Sequence, residues 1–355
     1  MEIRPFIGAE AGEAEMRRCH ELFTADTRNT FPGFPTQPYA SFAASMRRPR
    51  NAHLGLRHSF AAYEDGAVIG FATVAYPDSH LLEWAYPRVF VDEARLRRGV
   101  GSALLREIVA DVRAEGRAKL AHEQVRFGTA GEHWARAVGL VNTQRNHWQM
   151  LYVTELDPAI WEAPVPAGFR LAQWSDAAPE ELVVEFARAR NAIGDRPTGE
   201  SSLEDSEWTV ERVRQHEADI RETGDDLRFV VAIHEESGDV AAVTGMRVDP
   251  GRVDICWQRD TAVVREFRGL GLGRAIKAAM MRWLLEDIPA LERVVTNTAS
   301  DNAYMIRVNE QLGYTHYADI GVFEATVEQV GAALGMSAAI PAPRRESASE
   351  DEPVA

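Results

Sequence analysis

A chain of 355 residues, 45% hydrophobic and 26% charged, is too long for one ordinary core and suits two domains of common size. A net charge of −15 and a pI near 5.2 exclude nucleic acid as a main partner, because phosphate backbones demand a basic footprint. The acidity is compatible with cationic substrates, although solubility alone accounts for it. Cys19 and Cys256 stand far apart and cannot build a disulfide framework. The opening Met1-Glu2-Ile3-Arg4-Pro5 lacks the apolar stretch of a signal peptide, and no apolar run reaches the length of a membrane span. The expectation is a cytoplasmic protein with no membrane contact.

In chain order, a strand-like run at 59–63 reaches a turn at Glu64-Asp65-Gly66, and a second apolar run at 67–75 ends at Tyr76-Pro77. That pattern predicts a β-hairpin. A further strand at 87–91 leads to a glycine loop and then a helix. Val100, Leu104, Leu105, Ile108, Val109 and Val112 make its single apolar face. Proline and glycine interrupt the pattern at 157–168, which reads as a linker.

The same order then repeats. Strands at 228–234 and 240–248 flank a turn at 235–239, and the second run ends at Asp249-Pro250. A strand at 261–264, a glycine loop and a helix carrying Leu272, Ile276, Ala279, Met280, Trp283 and Leu284 follow. Gly66 and Gly238, Gly99 and Gly271, and Gly101 and Gly273 all share an offset of 172 residues. Pro77 and Pro250 are offset by 173, Gly139 and Gly313 by 174, and this ordered series implies duplication. The chain therefore divides into a first domain at 1–156, the linker, a second domain at 169–335, and an acidic tail at 336–355 expected to be disordered. Within the second domain, the acid-rich stretch 195–226 carries Trp208 and a helical pattern at 209–222. It reads equally as a lid selecting a cationic amine or as a solvated helix face.

The sharpest motif is Arg268-Gly269-Leu270-Gly271-Leu272-Gly273-Arg274, between a strand and a helix. Glycines let successive N–H groups point into one concavity, and the following helix adds its positive N-terminal end, making a site for phosphate oxygens. A dinucleotide fingerprint needs a third small residue, where Arg274 or Ile276 stands instead, and the Gly-Lys-Ser/Thr of a P-loop is absent. The run Val263-Val264-Arg265-Glu266-Phe267 followed by this loop resembles the signature of the GNAT (N-acetyltransferase) family, an apolar strand and then Arg/Gln-x-x-Gly-x-Gly/Ala. Downstream, Thr296-Asn297-Thr298, Asn302, Met305, Asn309 and Leu312-Gly313-Tyr314 resemble that family's later Asn-rich segment.

The resemblance implies an α/β (α+β) fold of two tandem GNAT-type domains, each a mixed, mostly antiparallel sheet flanked by helices, as in tandem members such as mycothiol synthase. It implies acetyl-CoA as co-substrate, a small-molecule amine as acceptor, and no metal. The cofactor would be held by Val263, Val264, Arg268, Gly269, Gly271, Leu272, Gly273, Arg274, Asn302 and Asn309. The first half keeps Gly99 and Gly101, but Leu96 stands where the family carries Arg/Gln, and the Asn pair is missing. Backbone donors at Gly99 and Gly101 are still able to hold a CoA, and catalysis is expected in the second half.

An alkylammonium must lose a proton before it attacks a thioester, so a carboxylate base is needed. Asp260 leads, followed by Asp254, Glu207 and Glu204. Asn309 stands where many family members place a tyrosine acid for the departing thiolate. The histidines, among them His122, His133, His147, His216, His234 and His316, show no metal-ligand spacing. The expected assembly is a monomer of two packed domains, with a homodimer as the other option. An acyl-CoA-binding regulatory or scaffold protein without catalysis, and a transferase using a longer acyl-CoA, are the competing functions.

Overall fold

The computed structural model describes residues 1–337 apart from 52, 53, 79 and 250, so the tail from 338 onward lies outside the described residues. The first half runs β1 (Glu2–Pro5), α1 (Glu13–Thr30), α2 (Tyr39–Arg47), β2 (Arg50–Asn51), β3 (Gly55–Glu64), β4 (Ala67–Tyr76), β5 (Trp84–Val91), α3 (Val100–Ala114), β6 (Lys119–Arg126), α4 (Ala130–Ala137) and β7 (Val141–Tyr152). The second runs β8 (Phe169–Ser175), α5 (Val183–Arg190), α6 (Val210–Thr223), β9 (Asp226–His234), β10 (Val240–Val248), β11 (Ile255–Val263), α7 (Leu272–Asp287), β12 (Arg293–Ala299), α8 (Ala303–Gln311), β13 (Thr315–Thr326) and α9 (Val327–Ala333).

Local chemistry explains the shared elements. Asp65 and Gly66 both have positive φ, 52° and 81°, the backbone a tight hairpin between β3 and β4 needs. The apolar faces of α3 and α7 bury the leucine, isoleucine and valine side chains that the spacing marks out, each against its own half-sheet. In both halves the strand before the glycine loop pairs in parallel with the next strand only at its start. These contacts run from Trp84 and Ala85 to Lys119 and Leu120, and from Ile255–Trp257 to Arg293–Val295. Beyond those points the strands diverge and leave a wedge.

The halves are not separate sheets. Strand order is β1-β3-β4-β5-β6-β13-β7-β12-β11-β10-β9-β8, with β2 on β3. Thus β7, which closes the first half in sequence, pairs with β12 of the second, while β13 pairs with β6 of the first. The exchange makes one continuous sheet across the duplication. The linker is also anchored. Trp161 is fully buried in the second-half core and its Nε1 donates to Leu312 O at 3.1 Å.

One difference between the halves matters for chemistry. β5 pairs with β4 in unbroken register from Gly70–Val91 to Ala75–Tyr86. β11 slips against β10, with Thr244 opposite Thr261 and Met246 opposite Gln258, so Arg259 and Asp260 together oppose Gly245. This is a β-bulge, which re-aims side chains at the point where the wedge opens. It also corrects the expected strand boundary. β11 begins at Ile255, and Asp260 sits inside the strand rather than at its start.

Candidate active site

The glycine loop takes the shape its sequence demands. Gly269 and Gly271 hold φ of 80° and 85°, conformations that side chains with a Cβ adopt only with strain. Gly271 caps α7, and the first helical bond runs from Ala275 N to Gly271 O at 3.1 Å. The N–H groups of the first turn are therefore left facing outward, at the positive end of a 16-residue helix. Arg274 in that turn has its Nε buried without a hydrogen-bond partner among the described residues. An orphan donor beside a ring of free N–H groups fits an anionic phosphate group.

A hollow of about 400 Å³ lies against this loop, lined by Val263, Arg268, Gly269, Leu272, Gly273 and Asn302 among others. A second, of about 370 Å³, opens on the other side of the wedge. The two share Ile193, Arg196, Thr261, Asn302 and Met305, so they meet at the mouth of the β11–β12 divergence. Arg268 crosses the edge, donating to Val263 O at 3.0 Å and to Asp195 Oδ2 at 2.6 Å.

The remaining expected residues divide. Val264 is buried and its N–H donates to Ala241 O at 2.9 Å, so it belongs to the core rather than to the hollow. Glu207 and Glu204 are exposed, and the Glu207 carbonyl accepts from Arg212. Asp254 uses its carbonyl on Glu292 and Arg293. Asn309 is fully buried. Its Nδ2 donates to Gln149 Oε1 at 2.8 Å and to Thr298 Oγ1 at 3.2 Å, tying the exchanged strand β7 to β12 and α8. Its Oδ1 has no partner among the described residues.

Asp260 does line the second hollow, in basic surroundings. Arg190, only 6% exposed, approaches its Oδ2 at 3.4 Å. Burial acts to raise the Asp260 carboxyl, and the charges of Arg190, Arg259 and Arg196 outweigh it, leaving the group below the usual carboxylate range. Arg190 and Arg212 also lie over the Trp208 ring, at 3.3 and 4.5 Å from its centroid. Guanidinium groups from α5, β11 and the start of the acid-rich stretch thus surround Asp260.

Two groups in the same hollow escape the sequence pattern. Glu123 comes from β6 of the first half and lines both this hollow and one of about 270 Å³ in the first half. The Glu123 side chain is exposed at the rim of the hollow, yet the protein around it displaces enough water to raise its carboxyl, and Arg259 and Arg196 offset that only in part. Lys277 on α7 is 2% exposed, and no carboxylate stands within ion-pair distance among the described residues. Burial lowers its amine to about 7. Its Nζ lies 5.1 Å from the centre of the Tyr314 ring. A Lys within Ala275-Ile276-Lys277-Ala278-Ala279 carries a legible signal, a charge on an otherwise apolar stretch. Glu123 carries none.

A glycine-capped helix start beside a wedge between parallel strands, present twice in one chain, defines a tandem acyltransferase architecture. The acetyltransferase (GNAT) family model matches residues 17–127 and again 196–314, and the chain belongs to that family. Its members are acetyltransferase-type enzymes that use acetyl-CoA as co-substrate. Solved structures share the fold over nearly the whole chain. A tandem GNAT protein from the clavulanic acid biosynthesis pathway is 24% identical, with TM-score 0.75, covering 92% of this chain and 98% of its own. A GCN5-related N-acetyltransferase from Sphaerobacter thermophilus is 13% identical, with TM-score 0.69, covering 92% and 95%. No curated protein matches the sequence. Among the described residues no helix is long and apolar enough to cross a membrane.

Proposed function

We propose that the chain transfers an acyl group, acetyl in the leading case, from acyl-CoA to the amine of a small molecule, with the second-half wedge as the working site. The observation that carries this reading is the coincidence of three features there: the open glycine loop, the bulge in β11, and the paired hollows on either side of the wedge. The first half keeps its loop, with Arg97 at φ 60° reproducing the backbone of Gly269, but its β5 has no bulge in its pairing with β4. Its contribution is then Glu123.

Arg274, with the N–H groups of Gly271, Leu272 and Gly273, would hold the pyrophosphate, and Val263 would flank the pantetheine arm. Bound acyl-CoA would supply an activated thioester. Glu123 takes the proton from the incoming ammonium, since a raised carboxyl is a better base near neutral pH than the depressed Asp260. Lys277, with a pKa close to the working pH, supplies a proton or positive charge where a thiolate departs. Arg196 and Arg259 face Glu123 and Asp260 across the acceptor hollow. This mixture favours an amine that also carries an anionic group.

The test is release of free CoA from acetyl-CoA and from longer acyl-CoAs, against amines with and without a carboxylate or phosphate. The proposal expects amine-dependent release, fastest with acetyl-CoA and an anionic amine. Binding of acyl-CoA with no release beyond hydrolysis for any amine would leave a non-catalytic acyl-CoA-binding protein.

A further inference from the structure

The face of the sheet where the two closing strands meet holds a second cluster of chemistry-bearing groups. On β13, His316 lies opposite Gln149 of β7, and Asp319 lies opposite His147. Residues three apart in a regular strand point to opposite faces. Between His316 and Ala318 the register slips by one residue, a bulge that absorbs the odd step and returns His316 and Asp319 to the face carrying His147.

The distances that result are short. His316 Nε2 stands 2.9 Å from Asp319 Oδ1, and His147 Nε2 stands 3.7 Å from the same oxygen. One donor atom from each residue lies within 4.8 Å of the other two. The imidazole rings are 5.1 Å apart, edge to face. A tetrahedral zinc ion with ligands at about 2.0–2.1 Å sets neighbouring donors roughly 3.3 Å apart, so small rotations of these side chains suffice. Two imidazoles and one carboxylate suit zinc or cobalt better than calcium or magnesium, which prefer all-oxygen shells.

We propose that His147, His316 and Asp319 form a divalent transition-metal site, filled by zinc, that clamps the closing strand of one half to the closing strand of the other. The bulge places His316 and Asp319 on one face, and the strand pairing adds His147 there as a third donor. Three protein ligands leave a fourth position for water, and side-chain exposures of 31% for His147, 38% for Asp319 and 52% for His316 leave a path in. Sequence spacing hides the site, because His147 and His316 belong to different halves and meet only through the strand exchange. The proposal is independent of the acyl-transfer reading.

The experiment uses the untagged full chain freed of metal with a chelator. Zinc is titrated calorimetrically, cobalt is titrated by visible absorption, and thermal melts are run with and without zinc. The expected result is one equivalent of zinc per chain, tetrahedral-type cobalt bands, and a melting temperature raised by zinc. His147→Ala and His316→Ala should each weaken binding by about tenfold or more. All three side chains are partly exposed, so the metal-free variants should melt close to the parent, and Asp319→Asn provides a third, isosteric arm. Absence of a zinc isotherm overturns the proposal. So does binding that His147→Ala leaves unchanged, or several equivalents indifferent to both substitutions, which would mark adventitious surface binding only.

Discussion

Replacing Lys277 with methionine removes a buried, unpaired charge while keeping the length and apolar body of the side chain. Burial lowers the folded-state amine from 10.5 to about 7. Below pH 7 the amine is protonated in both states, and the folded chain carries the full cost of holding an ammonium in the core. Between about 7 and 10.5 the unfolded state binds more protons than the folded state, so wild-type stability rises with pH through that window. At 1.36 kcal/mol per unit the span corresponds to about 5 kcal/mol, an order-of-magnitude figure. Lys277→Met should therefore be more stable than wild type at pH 6, by a few kcal/mol, with the advantage shrinking steadily toward pH 10. Urea melts of both proteins across that range measure the difference, and other titrating groups cancel between them. A stability difference that does not change with pH would refute the reasoning, because Lys277 would then keep an ordinary amine in the fold. The same variant should lower kcat in the acyl-transfer assay more than it changes KM.

Three further outcomes follow from the same geometry. Glu123→Gln should lower kcat/KM by roughly 10²-fold or more and remove the acidic limb of its pH profile, while leaving the melting temperature near wild type. Asp260→Asn should act mainly on stability, costing on the order of 1 kcal/mol, because it removes the partly exposed charge beside the buried Arg190. Equal effects of both on the pH profile would return the base role to Asp260. Asn309→Ala should destabilise by about 2 kcal/mol, since Gln149 and Thr298 lose their donor in the core, as seen in chemical denaturation.

Periodicity and turn chemistry reveal those parts of the fold that are local. Asp65-Gly66 fixes a hairpin, the spacing from Val100 to Val112 fixes a helix face, and Gly269 and Gly271 fix a loop that only left-handed backbone can close. The exchange of β7 and β13 is not legible, because alternation tells which face a residue occupies and not which strand lies beside it. For the same reason Glu123 is invisible as a site residue, and so is the meeting of His147 with His316. β11 reads as shorter than it is, since Gln258, Arg259 and Asp260 line a hollow and break its apolar run. The Asp260 carboxylate is visible, but its buried partner Arg190 stands 70 residues away and reverses what the carboxylate can do. Asn309 matches a motif position, and its Nδ2 also ties strands together while its Oδ1 keeps no partner among the described residues.

If the second-half glycine loop holds the acyl-CoA that reacts, a matched pair of alanine substitutions should separate the two loops. A Cβ at Gly273 meets only Val263 Cγ2 at 3.6 Å, and a Cβ at Gly101 meets Trp134 and Val91 at 3.6 Å, both ordinary contacts. Both variants should fold, and the Gly273 Cβ alone intrudes on the hollow beside the second loop. Calorimetric titration with acetyl-CoA should give Gly101→Ala an isotherm like that of wild type, and Gly273→Ala an affinity weaker by about tenfold or more, close to 1.4 kcal/mol. An unchanged isotherm for Gly273→Ala, or binding lost in Gly101→Ala instead, would contradict that role for the second loop.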